Sequence, residues 1–273
     1  MVGMNNTIVL QVAETRFAIT CNHLPFIKWM MEQCGGFISR GKPHLRLDLC
    51  LDSIQKGRST RRSLTVTAVR ELYQDGALRF NMESSSYADF FWLMLQICLR
   101  CAIGAKQPPD VLIHSSGVVH GGMAYVFTGK SGSGKSTICK LLAPESSFTI
   151  LHDEVIAISQ TDSNFHAWST PVRGEMPARY HRGAPLKAIF FLKQDQDNYP
   201  VRLGRRKTAE LLCYSLIPPL VVTHGRLTPE QAPSLKQLLA LAELVPCYEL
   251  HFRPEPSFWE CIMKLSEDIY ATA

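Results

Sequence analysis

Nine consecutive residues near the middle of the chain constrain its fold more than any other stretch: Gly129, Lys130, Ser131, Gly132, Ser133, Gly134, Lys135, Ser136 and Thr137. They satisfy G-x-x-x-x-G-K-[ST], the phosphate-binding loop. Its glycines let successive backbone N–H groups turn inward around phosphate oxygens. In that reading Lys135 reaches the outer phosphates and the Ser136 hydroxyl takes a Mg²⁺ position. The flanks agree. Residues 123–128 read as a buried strand and residues 136–143 as a helix whose N-terminal dipole favours anions. A plain Gly-rich turn would not need Lys and Ser directly after its last glycine.

Composition sets the outer bounds. With 273 residues, 46% hydrophobic and 19% charged, the chain is long enough for one large or two modest globular domains. The net charge of +5 suits a protein handling polyphosphates. No basic stripe interleaved with aromatics is present, so no nucleic-acid partner is expected. The nine cysteines are odd in number and scattered, and no signal peptide is legible, which implies reduced thiols and a cytoplasmic protein. Cys98 and Cys101 have C-x-x-C spacing but lie in an apolar helical run, where they read as core. That run, 90–105, contains Arg100 and is too short to span a bilayer, so no membrane insertion is expected.

Read in order, 7–13 and 16–20 look like a strand pair turning near Glu14 and Thr15, and 24–34 like a helix ended by Gly35 and Gly36. Segments 45–51, 63–69 and 77–81 look like strands, and 88–104 like a long helix stopped by Pro108 and Pro109. The proline pair is the candidate boundary between an N-terminal α+β portion, 1–110, suited to acceptor recognition, and a phosphate-loop domain, 111–273. In the second part, 111–120 and 123–128 form a predicted hairpin, followed by strands at 148–151, 155–159, 165–169, 187–193 and 246–252. Helices are expected over 207–217, 229–244 and 257–270. A hairpin directly before a phosphate loop departs from the parallel crossover of the common nucleotide-hydrolase sheet. The fold class expected is therefore α/β with a mixed, largely antiparallel sheet around the loop.

Phosphoryl transfer needs a phosphate cradle, a metal, cations for developing charge and a group that orients or deprotonates the acceptor. Asp153 and Glu154 end the first strand after the loop helix, the former only 17 residues beyond Ser136. They are the candidate acceptor-side and metal-side carboxylates, against a bland reading as turn acids. His114 lies mid-strand before the hairpin and reads equally as a structural histidine. Arg173 and Glu175 occupy a Pro- and Gly-bounded loop, a place for a transition-state cation and a further metal contact, or for an ordinary surface loop. His152, His166 and His181 show no metal-ligand spacing and receive no role.

The run from Val111 to about Lys193 resembles the catalytic domain of HPr kinase/phosphorylase, within the phosphoenolpyruvate-carboxykinase-like group. That family has a histidine in the strand before the hairpin, a phosphate loop, a strand ending in two acids, and a Glu-Ile-Arg-Gly segment. Here His114, the 129–137 loop, Asp153 with Glu154, and Pro171, Val172, Arg173 and Gly174 take those places. The resemblance implies catalytic roles for Asp153, His114 and Arg173, with Asp153 as acid/base at the acceptor hydroxyl, and Arg173 as a phosphate contact. It implies ATP and Mg²⁺ as cofactors, with Ser136, Glu154 and Glu175 on the metal side. The second acid is Glu rather than Asp, and Pro171 replaces the glutamate of the Arg-Gly segment. The chain is similar to HPr-kinase-related proteins of peptide-modification pathways, such as those of lasso peptides, which phosphorylate serine on a peptide. The expected function is ATP-dependent phosphorylation of a hydroxyl, with a peptide or small protein as partner and a homo-oligomer left open. The alternative is a nucleotide-binding regulatory or assembly protein with little or no hydrolysis.

Overall fold

The computed structural model describes residues 6–50, 73–74, 77–81, 87–88, 91–92, 94–95, 110–162, 164–172, 174–176, 180–217, 222–223, 226–227 and 232–271. The predicted strand at 63–69 lies outside the described residues, as does most of the predicted helix at 88–104.

Two sheets organise the chain. The first has the order β1-β2-β3-β5-β4, with β1 Thr7–Val12, β2 Thr15–Cys21, β3 Leu45–Cys50, β4 Tyr73–Gln74 and β5 Ala77–Asn81. The β1–β2 turn falls on Ala13 and Glu14, one residue earlier than the sequence suggests, and Ala13 adopts a positive φ of 48°. Helix α1, Leu24–Cys34, buries Phe26, Ile27, Met30 and Cys34, the i, i+1, i+4 and i+8 pattern of one apolar stripe.

The second sheet runs β10-β9-β6-β7-β11-β16-β12 and is mostly antiparallel. Its strands are β6 Val111–His120, β7 Met123–Thr128, β8 Phe148–His152, β9 Val155–Thr161, β10 Asn164–Trp168, β11 Gly183–Gln194, β12 Tyr199–Arg202 and β16 Cys247–Phe252. The β6–β7 hairpin is antiparallel, as its Gly121 and Gly122 turn predicts, both glycines having positive φ. Strand β6 carries two partners on its other edge: His114 and the residues before it pair with β9, and Gly117 and those after it pair with β8. The chain between β8 and β9 therefore turns sharply at Asp153 and Glu154, half-way along β6. Strand β13, Leu216–Ile217, pairs with Ile113 and Leu112 of β6. These residues were expected to end a helix; their β-branched and apolar side chains instead close the sheet. A separate short hairpin joins β14, Val222–Thr223, to β15, Arg226–Leu227.

Alternation along the central strands splits the core into two layers. On β7, Ala124 and Val126 face a layer with Leu212, Leu238 and Leu241, while Tyr125 and Phe127 face one with Ile138, Leu142, Phe258 and Ile262. Helices α3, Arg205–Ser215, and α4, Ala232–Leu244, cover the first face. Helices α2, Lys135–Leu142, and α5, Phe258–Ala271, cover the second. Each fully buried Phe, such as Phe127 and Phe190, contributes about 1.5–3 kcal/mol by leaving water.

The two sheets meet through a third cluster that mixes Leu10, Phe17 and Met30 with Leu112, Val155 and Ala157. Thr15 donates its hydroxyl to the buried Asp110 carboxylate at 2.9 Å, His181 Nε2 bonds the Ala13 carbonyl at 2.7 Å, and the His181 amide bonds Gly36. Among the described residues no helix is long and apolar enough to cross a membrane.

Candidate phosphate-loop site

The loop leaves the end of β7 and enters α2 without a gap. Gly129, Gly132 and Gly134 take φ of 152°, 78° and 107°, values that L side chains rarely adopt. A Cβ on Gly134 would come within 2.5 Å of the Phe252 ring, so the loop rests directly on an aromatic floor. That ring is fully buried against Phe258. Gln194, at the end of β11, donates its amide to the Gly132 carbonyl at 2.9 Å. The Ser133 amide closes a turn onto the Lys130 carbonyl at 3.1 Å. No side chain caps the first turn of α2, which leaves its N–H groups facing outward from Gly134.

Lys135 is folded back over the loop. Its ammonium donates to the carbonyls of Gly129 at 3.0 Å and Lys130 at 3.1 Å. Burial lowers its pKa, and the nearby Glu154 carboxylate opposes that shift. The Ser133 hydroxyl is buried without a hydrogen-bond partner. A phosphate would give that hydroxyl and the uncapped N–H groups their acceptors, so the residues present fit a polyphosphate. Ser136 is half-buried on the first turn of α2, while Lys130, Ser131 and Thr137 are exposed.

The acid turn sits between β8 and β9. Asp153 is 1% exposed, an unusual position for a carboxylate. Its Oδ2 accepts the Glu175 amide at 3.2 Å, whereas Oδ1 is buried with no hydrogen-bond partner. Gly174 lies against it so closely that a Cβ there would meet Asp153 Oδ1 at 2.2 Å. Glu154 is half-buried and places Oε1 3.5 Å from His114 Nδ1. The His114 pKa is lowered, first by burial and then by Lys135, with Glu154 pulling the other way. The imidazole is therefore mostly neutral near pH 7, and its approach to Glu154 is a polar contact rather than an ion pair.

The structure thus brings His114, Lys135 and Glu154 into one electrostatic neighbourhood, with Asp153 adjoining it. Glu175 is the further metal-side candidate. Its amide serves Asp153, and its exposed carboxylate pairs with Lys140 of α2 at 2.5 Å. Arg173 lies outside the described residues, between Val172 and Gly174, both of which are placed. Among the described residues no three His, Cys, Asp or Glu side chains gather as a ready-made metal cage. Mg²⁺ held by a hydroxyl, a carboxylate and phosphates requires none.

The family model described as SynChlorMet cassette protein ScmC matches residues 80–267, more than half of the chain. The chain belongs to the ScmC family. No curated protein matches it. Among solved structures it is similar to one titled as the Hpr(Ser) kinase/phosphatase from Coxiella burnetii, at 12% identity and a TM-score of 0.37. That alignment covers 58% of this chain and 98% of the other, and at such distance the likeness carries no argument.

Three residues of this ScmC-family site had no role in the sequence reading. His152 is fully buried and bonds the backbone on both sides of its ring, with burial lowering its pKa. Phe252 and Gln194 support the loop from strands far along the chain. His152 alone left a local signal: a polar side chain two residues before a turn amide is placed to accept from it, as Asx turns do.

Proposed function

We propose that this ScmC-family protein transfers a phosphoryl group from Mg²⁺–ATP to a hydroxyl, with serine of a peptide or small protein as the acceptor class. The observation that carries this reading is the buried Asp153 carboxylate, one oxygen of it without a partner, on the turn beside the Lys135 loop. A carboxylate oxygen left without a donor can take the proton of a hydroxyl brought to it, the role a phosphotransferase asks of its acid. The backbone of 129–137 would hold the phosphates, with Lys135 released from the Gly129 and Lys130 carbonyls onto them. Ser136 and Glu154 would hold the metal, which supplies charge neutralisation at the phosphates. Neutral His114 sits where it steers Glu154, and Arg173 is assigned to the transferring group.

A second reading, a nucleotide-binding regulator without transfer, draws support from Pro171 in the Arg-Gly segment and from Lys140 occupying Glu175. Purified protein incubated with labelled ATP and candidate acceptor peptides separates the two. Label on a serine supports transfer. Stabilisation by Mg²⁺–ATP with no label on any acceptor supports the regulator, and no stabilisation by any Mg²⁺-nucleotide sinks both.

A further inference from the structure

His152 ends β8 with a ring that no solvent reaches, and both of its nitrogens are used. Nδ1 accepts the backbone N–H of Glu154 at 2.9 Å and of Val155 at 3.1 Å, which places the ring proton on Nε2. Nε2–H then donates to the Val172 carbonyl at 2.8 Å. One edge of the ring therefore holds the acid turn, and the other holds the segment that carries Arg173 and Gly174. The carbonyl of the same residue receives the Cys139 thiol at 3.8 Å, so the anchor also touches α2 beneath the phosphate loop. Gly174 packs onto this unit from above, where a Cβ would come 3.0 Å from His152 Cε1. An apolar side chain would fill a buried strand end equally well. An imidazole bonded to three backbone groups registers the two chain segments, which the Glu175 amide on Asp153 Oδ2 and the Thr170 hydroxyl on the Val155 carbonyl also join.

We propose that His152 is a positioning residue that sets Val172 and residues 174–176 against the acid turn, and so places the acceptor relative to Asp153. Its kinetic consequence rests on the phosphoryl-transfer reading; its structural consequence does not. His152→Asn separates the two edges. An Asn oxygen accepts the amide two residues on, as in an Asx turn, but is too short to reach Val172. In the full chain with Mg²⁺–ATP, amides of Glu154 and Val155 should stay protected from hydrogen exchange. Those of 174–176 should exchange at least about 10-fold faster. ATP affinity should stay within about 3-fold while kcat on an acceptor peptide falls by about 10–100-fold, as misplacement of a reacting group does. His152→Ala should expose both segments.

The idea is overturned if 174–176 exchange as in wild type in His152→Asn, or if ATP affinity falls by the same factor as kcat. Should the wild type transfer no phosphate, the transfer reading fails and the exchange data alone decide the role of His152. Should the variants not fold, nitrogen NMR of the wild type decides: a slowly exchanging Nε2–H tautomer supports the anchor, and an Nδ1–H tautomer rules it out.

Discussion

The glycine-rich loop at 129–137 takes most of its shape from nine adjacent residues, while the acid turn facing it is assembled from segments about twenty residues apart. In the loop, three glycines with positive φ and a lysine reaching back five and six residues settle the geometry locally. At the acid turn, Asp153 is placed by the Glu175 amide, by the surface of Gly174 and by the His152 bond to Val172. A locally coded cradle can bind its ligand even when the rest of the site is distorted. An assembled carboxylate depends on packing, so damage anywhere in the clasp should appear in chemistry before it appears in binding.

The largest expected effect tests that split directly. Asp153→Asn keeps the shape and removes the base, so transfer should fall by about 10²–10⁴-fold with ATP affinity little changed. Full transfer retained by Asp153→Asn to a verified acceptor would end the kinase reading. Lys135→Ala should do the reverse and abolish stabilisation by Mg²⁺–ATP. In wild type that stabilisation is worth about 2.7 kcal/mol at a hundred times the dissociation constant, and a melting curve resolves its loss.

Two glycines sharpen the comparison. At Gly174 a new methyl would collide with Asp153, and overpacking of this kind costs about 1–3 kcal/mol. Gly132 has φ of 78° with open space around it, so Gly132→Ala carries only the backbone cost of about 1–2 kcal/mol. Denaturant unfolding gives both costs. Only Gly174→Ala should also lower kcat while leaving nucleotide binding intact, and equal kinetic behaviour of the two would erase the distinction.

What could be read from the sequence follows the same division. The loop, the hairpin before it and the two acids are local patterns, and each appears where spacing placed it. The support did not show: Phe252 under Gly134 and Gln194 on Gly132 come from strands far away in sequence. Leu216 and Ile217 misled because an apolar helical period ran straight on into them. The pull came from β6, whose free edge at Leu112 and Ile113 was available to pair. Spacing also left unseen the pairing of the Glu175 carboxylate with Lys140, one helical turn beyond the loop.

A smaller effect concerns pH. Burial lowers the His181 pKa, with the Ala13 carbonyl bond opposing the shift, so the folded protein holds this ring neutral. Below about pH 6.5 the unfolded chain takes up a proton that the folded state resists. Stability contributed at this position is thus complete above that pH and is lost as pH falls toward the depressed folded value. His181→Gln should flatten the stability profile below about pH 6.5, and an unchanged slope would show that the ring does not titrate in this way. The smallest effect belongs to Lys140→Ala. The Lys140–Glu175 pair is exposed, so the melting temperature should stay within about 2 °C of wild type. A larger shift would mean that α2 leans on the loop more than its solvent exposure implies.

Strand β10 bonds β9 on one side and β11 on the other, so β9, β6, β7, β11 and β10 close into a ring. A closed ring offers no open row of N–H and C=O groups to a neighbouring molecule. Beyond the ring the sheet continues through β8 and β13 on β6, and at its far end through β16 to β12. That last strand is four residues long and contains Pro200, whose nitrogen has no hydrogen to give. At the β12 end the larger sheet is therefore short and chemically blunted, a protection against edge-to-edge aggregation that owes nothing to the site.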